Sequence, residues 1–126
     1  MNHMVANNAV TIIGMACKFA GSNNTKELWS MLAEGVDVIA PVPKGQWCSQ
    51  QETQSYFLKE KVGTFDHKFF SVHVKEAPCI DPQHRLAMQL VWEALENSGT
   101  DPLSLKSKSV GVFGGLSNNA YKSILQ

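Results

Sequence analysis

Three cysteines, three histidines in the second half of the chain and a lysine flanked by glycines are the side chains from which chemistry would first be expected. Cys79 stands two residues before Asp81-Pro82, a helix-start pair. A helix N-terminus favours a thiolate, so Cys79 is the strongest local candidate for a reactive thiol. Cys17 follows an apolar run, and Cys48 lies in a polar stretch beside Trp47. No base is identifiable near any of the three, and a free cysteine commonly serves as a small hydrophobe. His67, His73 and His84 with Cys79 could converge on a metal ion. The spacing offers neither C-x-x-C nor H-x-x-x-H, so no metal site is expected, and polar contacts near a helix start account for His73 and His84. Gly14 to Gly21 lies where a phosphate loop would lie, just after an apolar run. The two glycines are seven apart with Lys18 between them, and Gly111, Gly114 and Gly115 do not give G-x-G-x-x-G. Nucleotide binding is therefore not expected. Glycines at such places permit close packing and unusual backbone angles instead.

A small fold must position these groups. The chain has 126 residues, 11 basic and 11 acidic, with a formal net charge of zero. That length allows one domain at most. Its 44% apolar content can form a core, and 17% charged content is low for a wholly solvated surface. This composition argues against disorder. It also points to surface covered by more chain or by a partner. Neutral charge leaves no electrostatic footprint for nucleic acid or for an acidic membrane. No run approaches the ~18 apolar residues of a membrane helix. Residues 1–8 hold no Lys or Arg, which argues against a signal peptide. An odd count of three cysteines then fits reduced thiols in the cytoplasm.

Residues 1–8 read as a disordered start. Val10-Thr11-Ile12-Ile13 reads as a strand buried on both faces. Asn24 with Glu27 forms a capping box for a helix that Gly35 ends. Leu28, Met31 and Leu32 share one face of it. Residues 44–64 read as a polar surface excursion. Phe65 to Phe70 is an aromatic cluster in a short strand or turn. Asp81-Pro82 opens the strongest helix, in which only Gln89 and Glu93 are polar between Leu86 and Leu95. A helix apolar almost all round should be buried centrally, with Gly99 beyond its end. Charges on or beside it (Asp81, Arg85 and Glu93) must be paired, and Arg85 is expected to hold a neighbouring loop or subunit. Asp101-Pro102 starts one short turn through Leu105. Val110 to Phe113 reads as a second strand. Tyr121, Ile124 and Leu125 then follow helical spacing to the last residues, after Ser117 as a cap. Strand, helices and strand outline a β-α-β unit, and two strands are too few to bury helices on both faces.

In this order the motifs resemble β-ketoacyl synthase domains of polyketide synthases and animal-type fatty acid synthases. Gly14-Met15-Ala16-Cys17-Lys18-Phe19-Ala20-Gly21 is similar to the family's opening G-M-x-C-R-F-P-G. Glu27-Leu28-Trp29 with Leu32 to Asp37 resembles E-L-W…L-x-x-G-x-D, and Phe65-Asp66 with Phe69-Phe70 resembles F-D-x-x-F-F. Glu76-Ala77 followed by Asp81-Pro82-Gln83-His84-Arg85-Leu86 matches E-A-x-x-x-D-P-Q-x-R-L, the most specific of the set. Trp92 to Glu96 continues it, and Gly111-Val112-Phe113 with Gly115 resembles G-V-F-x-G. The departures are Lys18 for Arg, Ala20 for Pro, Gln46 for Arg, Ser71 for Gly and Val74 for Pro. The connection from Trp47 to Phe65 is also shorter than in many members.

The resemblance implies an α/β chain with a partial thiolase-like fold, the N-terminal part of an α-β-α-β-α sandwich. Residues 9–126 would then be an incomplete N-terminal ketosynthase segment, about a third of such a domain by the resemblance and by domain-size limits. It also implies decarboxylative Claisen condensation by the parent β-ketoacyl-[acyl-carrier-protein] synthase, on phosphopantetheine-linked chains. The family's elbow cysteine and two histidines match no position here, so no catalytic residue is assigned and the chain alone is expected to be inactive. Only Leu116 and Ser117, just past Gly115, correspond to a place near the acyl pocket and are the candidate substrate-binding residues. No cofactor or metal is expected on this segment. The expected partners are the remainder of the ketosynthase domain, a homodimer mate in the parent and the acyl carrier protein. A complete, non-catalytic remnant acting as a dimerisation or interaction module is the alternative. A small independent enzyme using Cys79 is a third reading.

Overall fold

The first helix is built by its caps. The computed structural model describes residues 9–42, 54–59, 64–116 and 121. Helix α1 spans Thr25–Glu34. Asn24 is extended (φ −154°, ψ 169°), and its Oδ1 accepts from the Glu27 N–H at 2.9 Å. Glu27 reaches back, accepting from Asn24 Nδ2 at 2.9 Å and from the Asn23 N–H at 3.1 Å. This reciprocal arrangement satisfies donors that the first helical turn leaves open. At the other end Gly35 takes a left-handed conformation (φ 64°, ψ 32°). The N–H groups of Gly35 and Val36 bond the carbonyls of Leu32 and Met31 at 3.3 and 3.0 Å, the Schellman pattern.

Two short strands follow. Strand β1 is Ala40–Pro41 and strand β2 is Gln54–Ser55. They pair antiparallel, with Ala40 opposite Ser55 and Pro41 opposite Gln54. Part of the segment read as a surface excursion therefore pairs with the strand before it. The rest of that segment lies largely outside the described residues.

The aromatic cluster is a turn. Asp66 Oδ1 accepts from the N–H groups of Lys68 and Phe69 at 3.1 and 3.0 Å, and the Val72 N–H bonds the His67 carbonyl at 2.7 Å. Ser71 is left-handed here (φ 56°), at the position where the family resemblance puts glycine. Phe65 stacks on Phe70 with ring centroids 5.2 Å apart, and Phe69 meets Trp92 edge-on at 4.6 Å. The turn is thereby held against the second helix.

Helix α2, Pro82–Asn97, begins as its sequence demands. The Asp81 carboxylate accepts from the Gln83 N–H at 2.8 Å, and Pro82 needs no partner at the first helical position. Ser98 closes the helix with its Oγ donating to the Leu95 carbonyl at 2.7 Å, and Gly99 turns the chain away at φ 70°. A 3₁₀ turn, Pro102–Leu105, packs beside α2, capped by Asp101 through the Leu103 N–H at 2.9 Å.

The core differs from the sequence expectation. Among the described residues only Ser22 and Asp81 are buried, and no apolar side chain is. Val10 to Ile13 and Val110 to Phe113 join no strand pair; Val10 is 91% and Phe113 99% exposed. Strands meant to be covered on both faces take their stability from neighbouring strands and helices. The described residues supply neither, so these runs lie bare. For the same reason α2 is half-buried and not central, with Val91 54% exposed. The final helix expected after Ser117 lies outside the described residues, apart from Tyr121.

Candidate functional site

The loop after the first apolar run is the most tightly organised region that carries chemistry-bearing residues. Gly14 lies against the C-terminal end of α2, where a Cβ would run into the Ala94 carbonyl and the Ser98 side chain. Close approach is the physical demand for glycine there. It lets the Met15 N–H donate to Asn97 Oδ1 at 3.0 Å. Three residues on, Lys18 Nζ lies 3.2 Å from Glu93 Oε1, with the lysine side chain only 8% exposed. The one acidic residue in the middle of an apolar helix thus meets the one cation in the glycine loop. The loop then closes on itself through mutual bonds between Phe19 and Ser22, both 3.0 Å. Gly21 (φ 76°) abuts Val38 and Met31, so the same loop also touches α1.

This arrangement decides several sequence candidates. The ammonium of Lys18 is held by the Glu93 carboxylate in an ion pair that braces the loop on α2. Cys17 is half-buried and lines a cleft of about 170 Å³ with Met15, Asn24, Glu93 and Asn97. Cys79 is exposed, and its Sγ lies 3.8 Å from the Lys75 carbonyl oxygen, to which it donates. Among the described residues no base hydrogen-bonds to either thiol. Cys48 lies outside the described residues. His73 Nδ1 accepts from the Lys75 N–H at 3.2 Å, and His67 Nδ1 lies 3.0 Å from the Val72 carbonyl oxygen. These are local turn contacts. Among the described residues no three metal-ligating side chains come together.

A second cleft, about 510 Å³, runs along α1 between Gly21, Lys26, Ser30 and Val38 and ends at Glu27 and Lys59. Lys59 Nζ lies 3.1 Å from Glu27 Oε2. The Asn23 N–H, then this ammonium, hold the Glu27 carboxyl below its ordinary pKa. Both groups support the helix cap.

Of the two candidate substrate-binding residues, Leu116 is 62% exposed at the end of the Gly114-Gly115 stretch, and Ser117 lies outside the described residues. Two contacts had no single-residue signal in the sequence. They are the Met15–Asn97 bond and the Tyr121 hydroxyl donating to the Pro78 carbonyl at 2.6 Å. Each joins segments far apart in sequence. No helix among the described residues is long and apolar enough to cross a membrane.

Comparison with known proteins gives these positions a frame. Residues 7–126 match the family described as "Beta-ketoacyl synthase, N-terminal domain". The chain is 37% identical over 126 residues to a mycocerosic acid synthase-like polyketide synthase of Mycolicibacterium smegmatis, covering 89% of this chain and 6% of that protein. It is 36% identical over 132 residues to the 6-methylsalicylic acid synthase of Aspergillus terreus, covering 94% of this chain and 7% of that protein. The chain thus spans well under a tenth of the length of these relatives. Among solved structures, an oxazolomycin ketosynthase domain of Streptomyces albus is similar at TM-score 0.65 and 30% identity, over 75% of this chain and 19% of that one. A ketosynthase from module 6 of the bacillaene synthase of Bacillus subtilis is similar at TM-score 0.60 and 30% identity, over 68% and 15%. The helices and loop described above are therefore part of a thiolase-like ketosynthase fold. With its ordered motifs, its caps and its glycine loop all accounted for, the chain belongs to the β-ketoacyl synthase family, as a stretch of the N-terminal domain.

Proposed function

We propose that this chain is the opening portion of a β-ketoacyl-[acyl-carrier-protein] synthase that makes carbon–carbon bonds in polyketide or fatty acid biosynthesis, and that its catalytic cysteine and histidines stand outside these residues. In that reaction an acyl group moves from its carrier thioester onto the enzyme's cysteine. A carrier-bound malonyl unit loses CO₂, and the resulting carbanion attacks the enzyme thioester. The cysteine thiolate leaves, and a β-ketoacyl carrier thioester is formed. Donors directed at the developing oxyanion supply the main electrostatic stabilisation in chemistry of this kind.

The observation that carries the reading is the family match across residues 7–126; the parts of this chain that superpose on the similar ketosynthases, 68% and 75% of it, cover only 15% and 19% of theirs. On this reading the segment acts as scaffold. The glycine loop and α2 brace one another, and Leu116 with Ser117 stands near the acyl pocket. The partners are the remaining ketosynthase domain, a second subunit and the acyl carrier protein, in a cytoplasmic assembly.

Two measurements test this. The purified chain, mixed with acyl- and malonyl-carrier protein, should release no CO₂ and form no β-ketoacyl product; condensation by these residues alone would overturn the proposal. The coding sequence beyond codon 126 should continue in frame to a D-T-A-C-S-S-type elbow. A stop codon there would replace this reading with that of a non-catalytic interaction module.

A further inference from the structure

Arg85 lies within the first turns of α2, in the segment Asp81-Pro82-Gln83-His84-Arg85-Leu86. Its Nε is buried, and no acceptor reaches it. An unpaired N–H in such a place loses its hydration without replacement, and on a cation the loss is larger than on a neutral amide. The carboxylates of α2 and of its cap are already engaged. Asp81 accepts from the Gln83 N–H, Glu93 pairs with Lys18, and Glu96 accepts from Trp92 Nε1 at 2.7 Å. Arg85 shares its helix face with Gln89 and Trp92, one and two turns on. That face carries the aromatic turn, through Phe69 against Trp92 and through Gln89 Nε2 at 3.5 Å from the Thr64 carbonyl oxygen. The guanidinium therefore stands at the open end of an otherwise occupied face.

Resting on the ketosynthase reading, we propose that Arg85 is the electrostatic anchor by which this segment docks to the remainder of the ketosynthase domain, its guanidinium pairing with a carboxylate supplied by that remainder. A carboxylate fits because the site needs both an acceptor for Nε and a charge to neutralise a partly desolvated cation. The remainder is the fitting source because more than four-fifths of each similar ketosynthase lies outside the matched stretch. The bare apolar residues of α2 and of the 110–116 run need cover from the same body of chain.

The test uses the 126-residue chain and the ketosynthase domain of the Aspergillus terreus 6-methylsalicylic acid synthase, expressed without the stretch that matches residues 7–126. Association is measured by calorimetry and pull-down. The wild-type chain should bind. Arg85→Met should weaken binding by about tenfold or more, since it leaves the partner carboxylate unpaired, and Arg85→Lys should restore part of the loss. Far-UV ellipticity of the free chain should be the same for all three, because the Arg85 Nε finds no acceptor within it. Equal binding by wild type and Arg85→Met overturns the proposal, as does no binding by the wild type. So does self-association of the chain that depends on Arg85, which would assign the carboxylate to a second copy. None of these failures touches the family's chemistry, which the coding sequence beyond codon 126 decides separately.

Discussion

Single side chains set the boundaries of both helices. Asn24 and Glu27 cap one another across the start of α1, and Asp81 does the same work alone for α2. Replacing Asn24 with Ala should cost about 1 kcal/mol of helix stability, read as lost far-UV ellipticity. The Glu27 carboxyl adds a pH dependence whose sign follows from its depressed pKa. A group whose pKa falls on folding contributes stability above its unfolded value, near 4.5, and that contribution fades as pH drops through the lower folded value. Acid titration of the wild type should show α1 losing helicity in that window. Glu27→Gln should start lower and lack this step. Ser71 is the opposite kind of residue, a non-glycine side chain in a left-handed backbone position. Such positions carry a local energetic cost of roughly 1–2 kcal/mol.

Between elements, the glycine loop matters most. Gly14 allows contact with α2, the Met15–Asn97 bond fixes its register, and the Lys18–Glu93 pair neutralises a charge on a mostly apolar helix. Glu93 keeps a side-chain exposure of 39%, so the pair is worth less than a fully buried one. Gly14→Ala should push the loop off the Ala94 carbonyl. Overpacking of this kind costs roughly 1–3 kcal/mol, so protection of the Met15 amide against hydrogen exchange should fall by about ten- to a hundredfold. Unchanged protection would mean that the loop is held by other contacts. The capping signals, the helix ends at Gly35 and Gly99 and the short turn after Asp101 were all legible in sequence, because each depends on residues three or four apart. The Lys18–Glu93 and Met15–Asn97 contacts were not, because they join residues 75 and 82 positions apart, on segments whose meeting depends on the fold.

At the scale of the whole molecule, the described residues carry apolar surface and bury no apolar side chain. Val10, Ile12, Val112, Phe113 and Trp29 are all exposed, and no apolar residue among those described is buried. Contiguous bare apolar surface drives association or loose packing. Expressed alone, the chain should bind a hydrophobic dye such as ANS, keep its far-UV signal and melt without a cooperative transition. A monodisperse monomer with a sharp melt would contradict this. The two apolar runs read as strands from composition, and in the structure neither forms one. Whether the runs pair is a matter of neighbouring strands, and the described residues supply none to either run.

Sequence by itself determined the family, the helix positions, the caps that bound them and the requirement for cover on the apolar runs. These rest on local hydrogen bonding and on residue order, both readable along one dimension. Tertiary structure alone decided that Lys18 braces Glu93, that Gly14 is needed for close approach, that the Cys79 thiol meets the Lys75 carbonyl, and that the Nε of Arg85 is buried without an acceptor. Such facts depend on which distant segments share a dielectric environment and on whether a desolvated group finds a partner. Spacing along the chain does not encode either.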